Sequence, residues 1–210
     1  MTEKSDANTA YHEAGHAVVG EAIEPGCVES LTIQVDNEER LSGSTQFSGE
    51  GWEHLDDYIQ FPWGDPDIEA ELRECAAVEI MRCLGGVLAE ERFTGSWNQS
   101  GATGDLRDIF DLVVAAYPDD FDLTGGGWSL TSEIEPDMDR SLRRARELWE
   151  GDTQVILTEH WSWVEAVAQA ALDGDGNLTG DEIRALRPPG LADAMTDEGE
   201  RIEAGDTVIQ

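Results

Sequence analysis

The pentapeptide His12-Glu13-Ala14-Gly15-His16 constrains this chain most, because it sets three polar side chains inside an otherwise apolar stretch. Ala10, Ala14, Ala17, Val18 and Ala22 recur at helical spacing, which predicts a helix over residues 7–22 with Asp6 as its N-cap. Glu24-Pro25-Gly26 ends it. On a helix, positions i and i+4 share a face one turn apart. Two imidazoles placed so can chelate one Zn²⁺ through nitrogen. Glu13 stands beside them, where a carboxylate can take a proton from water that zinc has acidified. Gly15 lacks a side chain and so admits a close neighbour. The competing reading is a polar helix face with two solvated histidines. Two of the four His falling in one pentapeptide, among small apolar residues, argue against it.

The rest of the chain is predicted mainly helical. Residues 28–35 alternate, with Leu31, Ile33 and Val35 on one face, and read as a half-buried strand. After the turn signal Asp36-Asn37, Ser42 to Phe47 reads as a second strand antiparallel to the first. Residues 48–65 are loop-like, acidic and aromatic (Trp52, Tyr58, Phe61, Trp63). Asp65 and Pro66 start a helix over 66–94, interrupted in composition by Gly85-Gly86. Close packing is the usual reason for such a pair. A polar loop, 95–103, leads to Thr103 as cap of a helix over 104–117, stopped at Pro118. Beyond the Gly125–Gly127 loop, helices are predicted over 136–150 and 152–172. A last one, 180–187, starts at Thr179 with Glu182 completing a capping box. The fold expected is mainly α (α+β), with one small antiparallel hairpin. It is read as a single domain over 1–190, followed by an acidic, frayed tail over 191–210.

Charge sets the partners. Thirteen basic residues against 46 acidic ones give −33, spread along the chain, and Lys4 is the sole lysine. That balance excludes the cationic contacts of nucleic-acid binding and docking on an anionic membrane. Diffuse acidity without runs suits a protein working in concentrated salt. A basic partner is the alternative. No apolar run approaches the ~18 residues of a membrane span, and the first residues show no signal-peptide core, so a cytoplasmic setting is expected. Cys27, Cys75 and Cys83 are an odd set with no CxxC spacing, and read as reduced core thiols.

A third metal ligand must lie elsewhere. No third His follows His16 at the spacing of HExxHxxGxxH. His54 falls in a loop and His160 in an apolar-aromatic helix, and with 46 acids composition alone selects no carboxylate. Five ordered blocks carry a resemblance that does. TAYHEAGHAVVG, LTIQVDNEERLSGSTQF, AAVEIMRCLGGVLAEERFTG, SGATGDLRDI and the pair RSLRRARELWEG with VAQAALDGDGNLTGDEI span about residues 9–187. Together they resemble the peptidase domain of FtsH-type membrane AAA proteases. The resemblance implies a helical zinc-endopeptidase domain with its β-hairpin near the active site. It further implies His12, His16 and Asp105 as zinc ligands, one ion per chain, with Glu13 as general base. Asp105 then opens a helix, where a carboxylate is well placed, and Asp108 is its neighbouring alternative. Glu90 and Glu91 match a glutamate pair expected to orient a ligand His or to face solvent. The strand Ser42–Phe47 matches one beside the active site, which makes Thr45 and Gln46 candidates for contact with an extended peptide.

Departures from the family limit what transfers. The 210 residues contain no GxxxxGK[ST] phosphate loop, so ATP-driven unfolding would need a separate AAA ATPase. Val87 replaces the Arg of GGRxAEE, and Gly104 replaces the Asn before the Asp. The family's hexameric ring would here carry roughly −200 charges, which strong screening alone permits. Asp173-Gly174-Asp175-Gly176-Asn177 opens like a calcium loop, but Leu178 and Arg184 stand where such a loop needs Gly and Glu, so it reads as a polar turn. The expectation is a zinc metalloendopeptidase cutting peptides or unfolded proteins without its own ATPase. The alternative is a catalytically silent binding or regulatory protein of the same fold.

Overall fold

The computed structural model describes residues 2–35, 41–48, 66–96, 102–117 and 135–191, without the side chains of 2–6, 35, 41, 66–68 and 135–139. The Asp36-Asn37 turn, the stretch 49–65 with His54 and the Asp65 cap lie outside the described residues, as do the Pro118 stop, the Gly125–Gly127 loop and the tail from 192 onward. The described chain is predominantly helical: α1 (Thr2–Ile23), β1 (Val28–Val35), β2 (Leu41–Phe47), α2 (Pro66–Thr94), α3 (Thr103–Ala116), α4 (Glu135–Glu159), α5 (Trp161–Asp173), β3 (Asn177–Thr179) and α6 (Gly180–Ala185).

Helix α1 is the axis of the molecule. Every residue from His12 to Ala22 is buried, because α2, α4, α5 and the sheet all pack on it. Its tightest neighbour is α2. A Cβ on Gly15 would lie 2.3 Å from the Gly85 carbonyl oxygen, and one on Gly85 would lie 2.9 Å from that of Gly15. The helices therefore meet backbone to backbone, which is the packing that Gly15 and the Gly85-Gly86 pair suggest. Around the crossing lie Val18, Val19, Ile80 and Leu84, with Ile109 and Leu112 contributed by α3.

The hairpin forms as expected, with Leu31 opposite Thr45 and Ile33 opposite Gly43, and one irregularity between Val28 and Ser30. Its alternation is visible in β2, where Ser42, Ser44 and Gln46 are exposed and Gly43, Thr45 and Phe47 are partly covered. A third strand, β3, was not expected. It pairs antiparallel with β1, giving the order β2-β1-β3. Two glycines make it possible. Gly176 has φ +83° and accepts the Ile33 N–H at its carbonyl oxygen at 2.6 Å, so close to β1 that a Cβ would lie 2.2 Å from the Ile33 oxygen, while a Cβ on Gly180 would lie 1.9 Å from the Val28 oxygen.

Four local expectations are corrected. Helix α1 begins at Thr2, so Asp6 lies within it and does not cap it; nothing between Thr2 and Asp6 breaks a helix. Helix α3 is capped at Ala102 without a side-chain bond, which makes Thr103 its first helical residue. Helix α4 continues through the exposed Gly151 to Glu159, and the chain breaks at His160 instead. The Gly151 penalty of about 1 kcal/mol is outweighed by tertiary contacts. The break at His160 brings Trp161 to 5.8 Å from Tyr11 and lets Trp163 Nε1 donate to the Ile183 carbonyl at 2.8 Å. Finally, Cys27 and Cys83 are buried thiols but Cys75 is only half-buried, and all three are free. The Thr179–Glu182 capping box of α6 is present as expected.

Candidate metal centre

Three side chains from two distant segments converge where α1 passes the start of α3. His12 Nε2 lies 2.8 Å from Asp105 Oδ2, and His16 Nε2 lies 3.2 Å from Asp105 Oδ1. The imidazoles stand edge to face, centroids 4.7 Å apart, as their i, i+4 placement dictates. One donor atom from each of His12, His16 and Asp105 lies within 4.8 Å of the others. Asp105 sits in the first turn of α3, where the exposed N–H groups favour a carboxylate.

The outward ring atoms are fixed from behind. His16 Nδ1 donates to the Arg82 carbonyl oxygen at 2.8 Å, which turns Nε2 towards Asp105. His12 Nδ1 faces Glu90 Oε2 at 3.4 Å. Gly86 makes room for the second imidazole, since a Cβ there would lie 2.3 Å from His16 Nε2. Thus Glu90 of the expected glutamate pair turns inward to a histidine, while Glu91 turns outward to Arg146 at 3.1 Å. Arg82 is itself buried, held by Glu79 and Glu24 and stacked over Phe47 at 4.8 Å.

Glu13 occupies the same space. It is 5% exposed and lines a cavity of about 280 Å³ together with His12, His16, Thr45, Cys83 and Asp105. Thr45 Oγ1 lies 2.8 Å from Glu13 Oε2. Gln46 is on the opposite face of β2, where it accepts from Ser30 Oγ. Asp108 lines the cavity but stands outside the three-residue cluster. His160 is buried at the α4–α5 junction, against Trp163, and takes no part in the cluster.

The field in this cavity favours positive charge. Burial alone would lower His12, but hydrogen bonds to Asp105 and Glu90, with the charges of Asp105 and Glu13, push it up to about 10. Burial likewise opposes protonation of His16, and Asp105 outweighs it, so this group also rises. For Asp105 burial works upward, yet His16 and His12 hold the carboxyl well below the usual range. Burial pushes the nearby Cys83 thiol far up, which keeps it a neutral thiol rather than a reactive one. Two imidazoles, one carboxylate and a surplus of negative potential are a donor set for a divalent cation, and N,N,O donation with an open side suits zinc.

Sequence reasoning reached His12, His16 and Glu13 from spacing alone. It did not reach Gly43, whose Cβ would lie 2.3 Å from Glu13 Oε1, nor the contact of Thr45 with Glu13. An isolated glycine inside a strand pattern was the available signal for the first.

No family model matches the chain. It is 27% identical over 216 aligned positions to the ATP-dependent zinc metalloprotease FtsH 2 of Methylacidiphilum infernorum (isolate V4), an alignment covering 89% of this chain and 29% of that protein. The chain thus spans under a third of the length of the curated relative it matches. Among the described residues, no helix is long and apolar enough to cross a membrane.

Proposed function

We propose that this chain is a zinc metalloendopeptidase of FtsH-like peptidase fold. The observation that carries the reading is the meeting of His12, His16 and Asp105 within 4.8 Å, with the Glu13 carboxylate in the same open cavity. His12, His16 and Asp105 hold one ion. Zinc, when bound, supplies Lewis acidity that polarises a carbonyl and acidifies water. Glu13 is the general base: its carboxylate accepts a proton from the attacking water and returns it to the departing amine. Arg82 and Glu90 orient the two imidazoles through their Nδ1 atoms. Substrates are peptides or unfolded segments, and folded proteins require an ATPase to feed them. The three free thiols suit a reducing, cytoplasmic setting.

The test compares wild type with Glu13→Gln on a quenched unfolded-protein substrate in molar KCl with zinc, alongside metal content by mass spectrometry. The variant is expected to keep one zinc per chain and lose turnover by about 10²–10⁴-fold. Wild-type turnover in the variant would overturn the role of Glu13. Zinc bound without cleavage by either protein would favour a binding or regulatory role for the fold.

A further inference from the structure

A side chain as buried as that of Glu13 is met by a hydrogen-bond partner in folded proteins. Among the described residues, the Thr45 hydroxyl is the one donor that reaches it, 2.8 Å from Oε2. The same hydroxyl lies 3.1 Å from the Glu13 carbonyl oxygen. A hydroxyl has a single proton, and the shorter bond to a charged acceptor takes it. Threonine is β-branched, so its χ1 is stiff and its hydroxyl a fixed point.

The neighbouring position completes the arrangement. Residues 43 and 45 share a face of β2 by the two-residue period of a strand. A Cβ on Gly43 would lie 2.3 Å from Glu13 Oε1, 2.5 Å from Cγ and 2.7 Å from Cδ. Any side chain there would occupy the volume that the Glu13 side chain fills. Both residues line the cavity that holds the histidines and Asp105.

We propose that β2 forms the socket of the general base: Gly43 admits the Glu13 side chain, and Thr45 is a positioning residue that aims its carboxylate. Within this socket the two carboxylate oxygens differ. Oε2 is held by Thr45, and Oε1, against Gly43, has no protein donor among the described residues and is the oxygen that receives the proton. The inference rests on Glu13 acting as base, and it gives Thr45 a role distinct from contact with substrate.

The experiment uses the zinc-loaded full chain with Thr45→Val, which keeps the shape and removes the hydroxyl, Thr45→Ser, which keeps the hydroxyl, and Gly43→Ala. Steady-state cleavage of a quenched peptide is read with zinc content and with crystal structures of wild type and Thr45→Val. The valine variant is expected to lose about ten- to a hundredfold in kcat, with KM within about twofold and zinc unchanged. Serine restores kcat to within about threefold of wild type. Gly43→Ala falls at least as far as the valine variant. In the crystals the Glu13 carboxylate leaves its single position in Thr45→Val while His12, His16 and Asp105 stay in place. Should the valine variant not fold, Thr45→Ala takes its place. Wild-type kcat in Thr45→Val, a serine variant as impaired as valine, or a loss confined to KM or zinc content would each overturn the proposal. If Glu13→Gln is itself fully active, the assignment of the base has failed instead. The position of the Glu13 carboxylate in the two crystal structures still decides whether Thr45 holds it.

Discussion

Helix α1 carries two buried acids two turns apart, and they are treated in opposite ways. Glu21 is 3% exposed and saturated: it accepts the N–H groups of Gly26 at 2.9 Å and Val28 at 3.0 Å, and the Arg184 guanidinium at 2.8 Å. It stands outside the lining of the Glu13 cavity, and its cation is built into the chain. Around Glu13, by contrast, carboxylates and imidazoles face a shared space in which no arginine or lysine stands among the described lining residues. The first arrangement seals the end of α1 to β1 and α6. The second keeps a negative potential that a proton or an external cation must meet. What separates a structural charge from a site on this helix is thus whether the fold supplies the counter-charge.

The largest expected effect breaks the open side. Asp105→Ala removes a direct donor, and zinc affinity should fall by more than about a hundredfold, because loss of an outer partner alone costs about ten- to a hundredfold. Equilibrium dialysis with a fluorescent zinc indicator measures it; retention at wild-type affinity would place the third donor elsewhere. Next comes pH. With no ion bound, His12 is raised from 6.5 to about 10, so the folded state holds a proton that the unfolded chain has released. That contribution is complete below pH 6.5 and is lost as pH rises through about 10. Thermal melts of the chelator-treated protein should therefore decline from pH 6.5 upward, whereas the zinc-loaded protein escapes this loss because the ion replaces the proton. Parallel declines in both forms would refute the linkage.

The sealed side should break differently. Glu21→Gln leaves the cavity untouched and is expected to cost about 1–3 kcal/mol of stability, seen as a lower melting temperature with zinc affinity unchanged. A fall in zinc affinity there would mean that the two regions are coupled. The smallest effect is at Glu90→Gln, which keeps a partner for His12 Nδ1 but removes its charge. Zinc affinity should weaken by about tenfold, with the proposed turnover preserved once zinc is saturating.

Much of this could be read in the residues. The i, i+4 histidines, the hairpin register face and the α6 capping box are local patterns, and each appears where its spacing predicts. Asp105 is another matter. It lies 93 residues from His12 and is one of 46 acids, so resemblance to a family singled it out, not physics. The third strand escaped because three residues are too short a run for their alternation to count as a signal, and their pairing depends on Gly176 and Gly180 meeting a strand more than 140 positions earlier. The helix break at His160 escaped because Gly151 is the stronger local signal, and contacts of Trp161 and Trp163 with remote residues overrule it. The Gly85-Gly86 pair announced a close neighbour without saying which. Its partner proved to be the glycine between the two histidines.

The Arg184–Glu21 pair also has a history in time. At about 5–20 residues per second, a ribosome needs roughly 8–30 s to travel the 163 positions between them. His12, Glu13, His16 and Asp105 have all emerged well before the end of that interval. The hairpin and the α1–α2 crossing are also complete in sequence by then. A nascent chain in this interval already owns every member of the metal cluster, but β1 has one edge uncovered and Glu21 awaits its cation. Arg184 arrives together with β3: the strand covers the open edge of β1, and the guanidinium neutralises the buried acid.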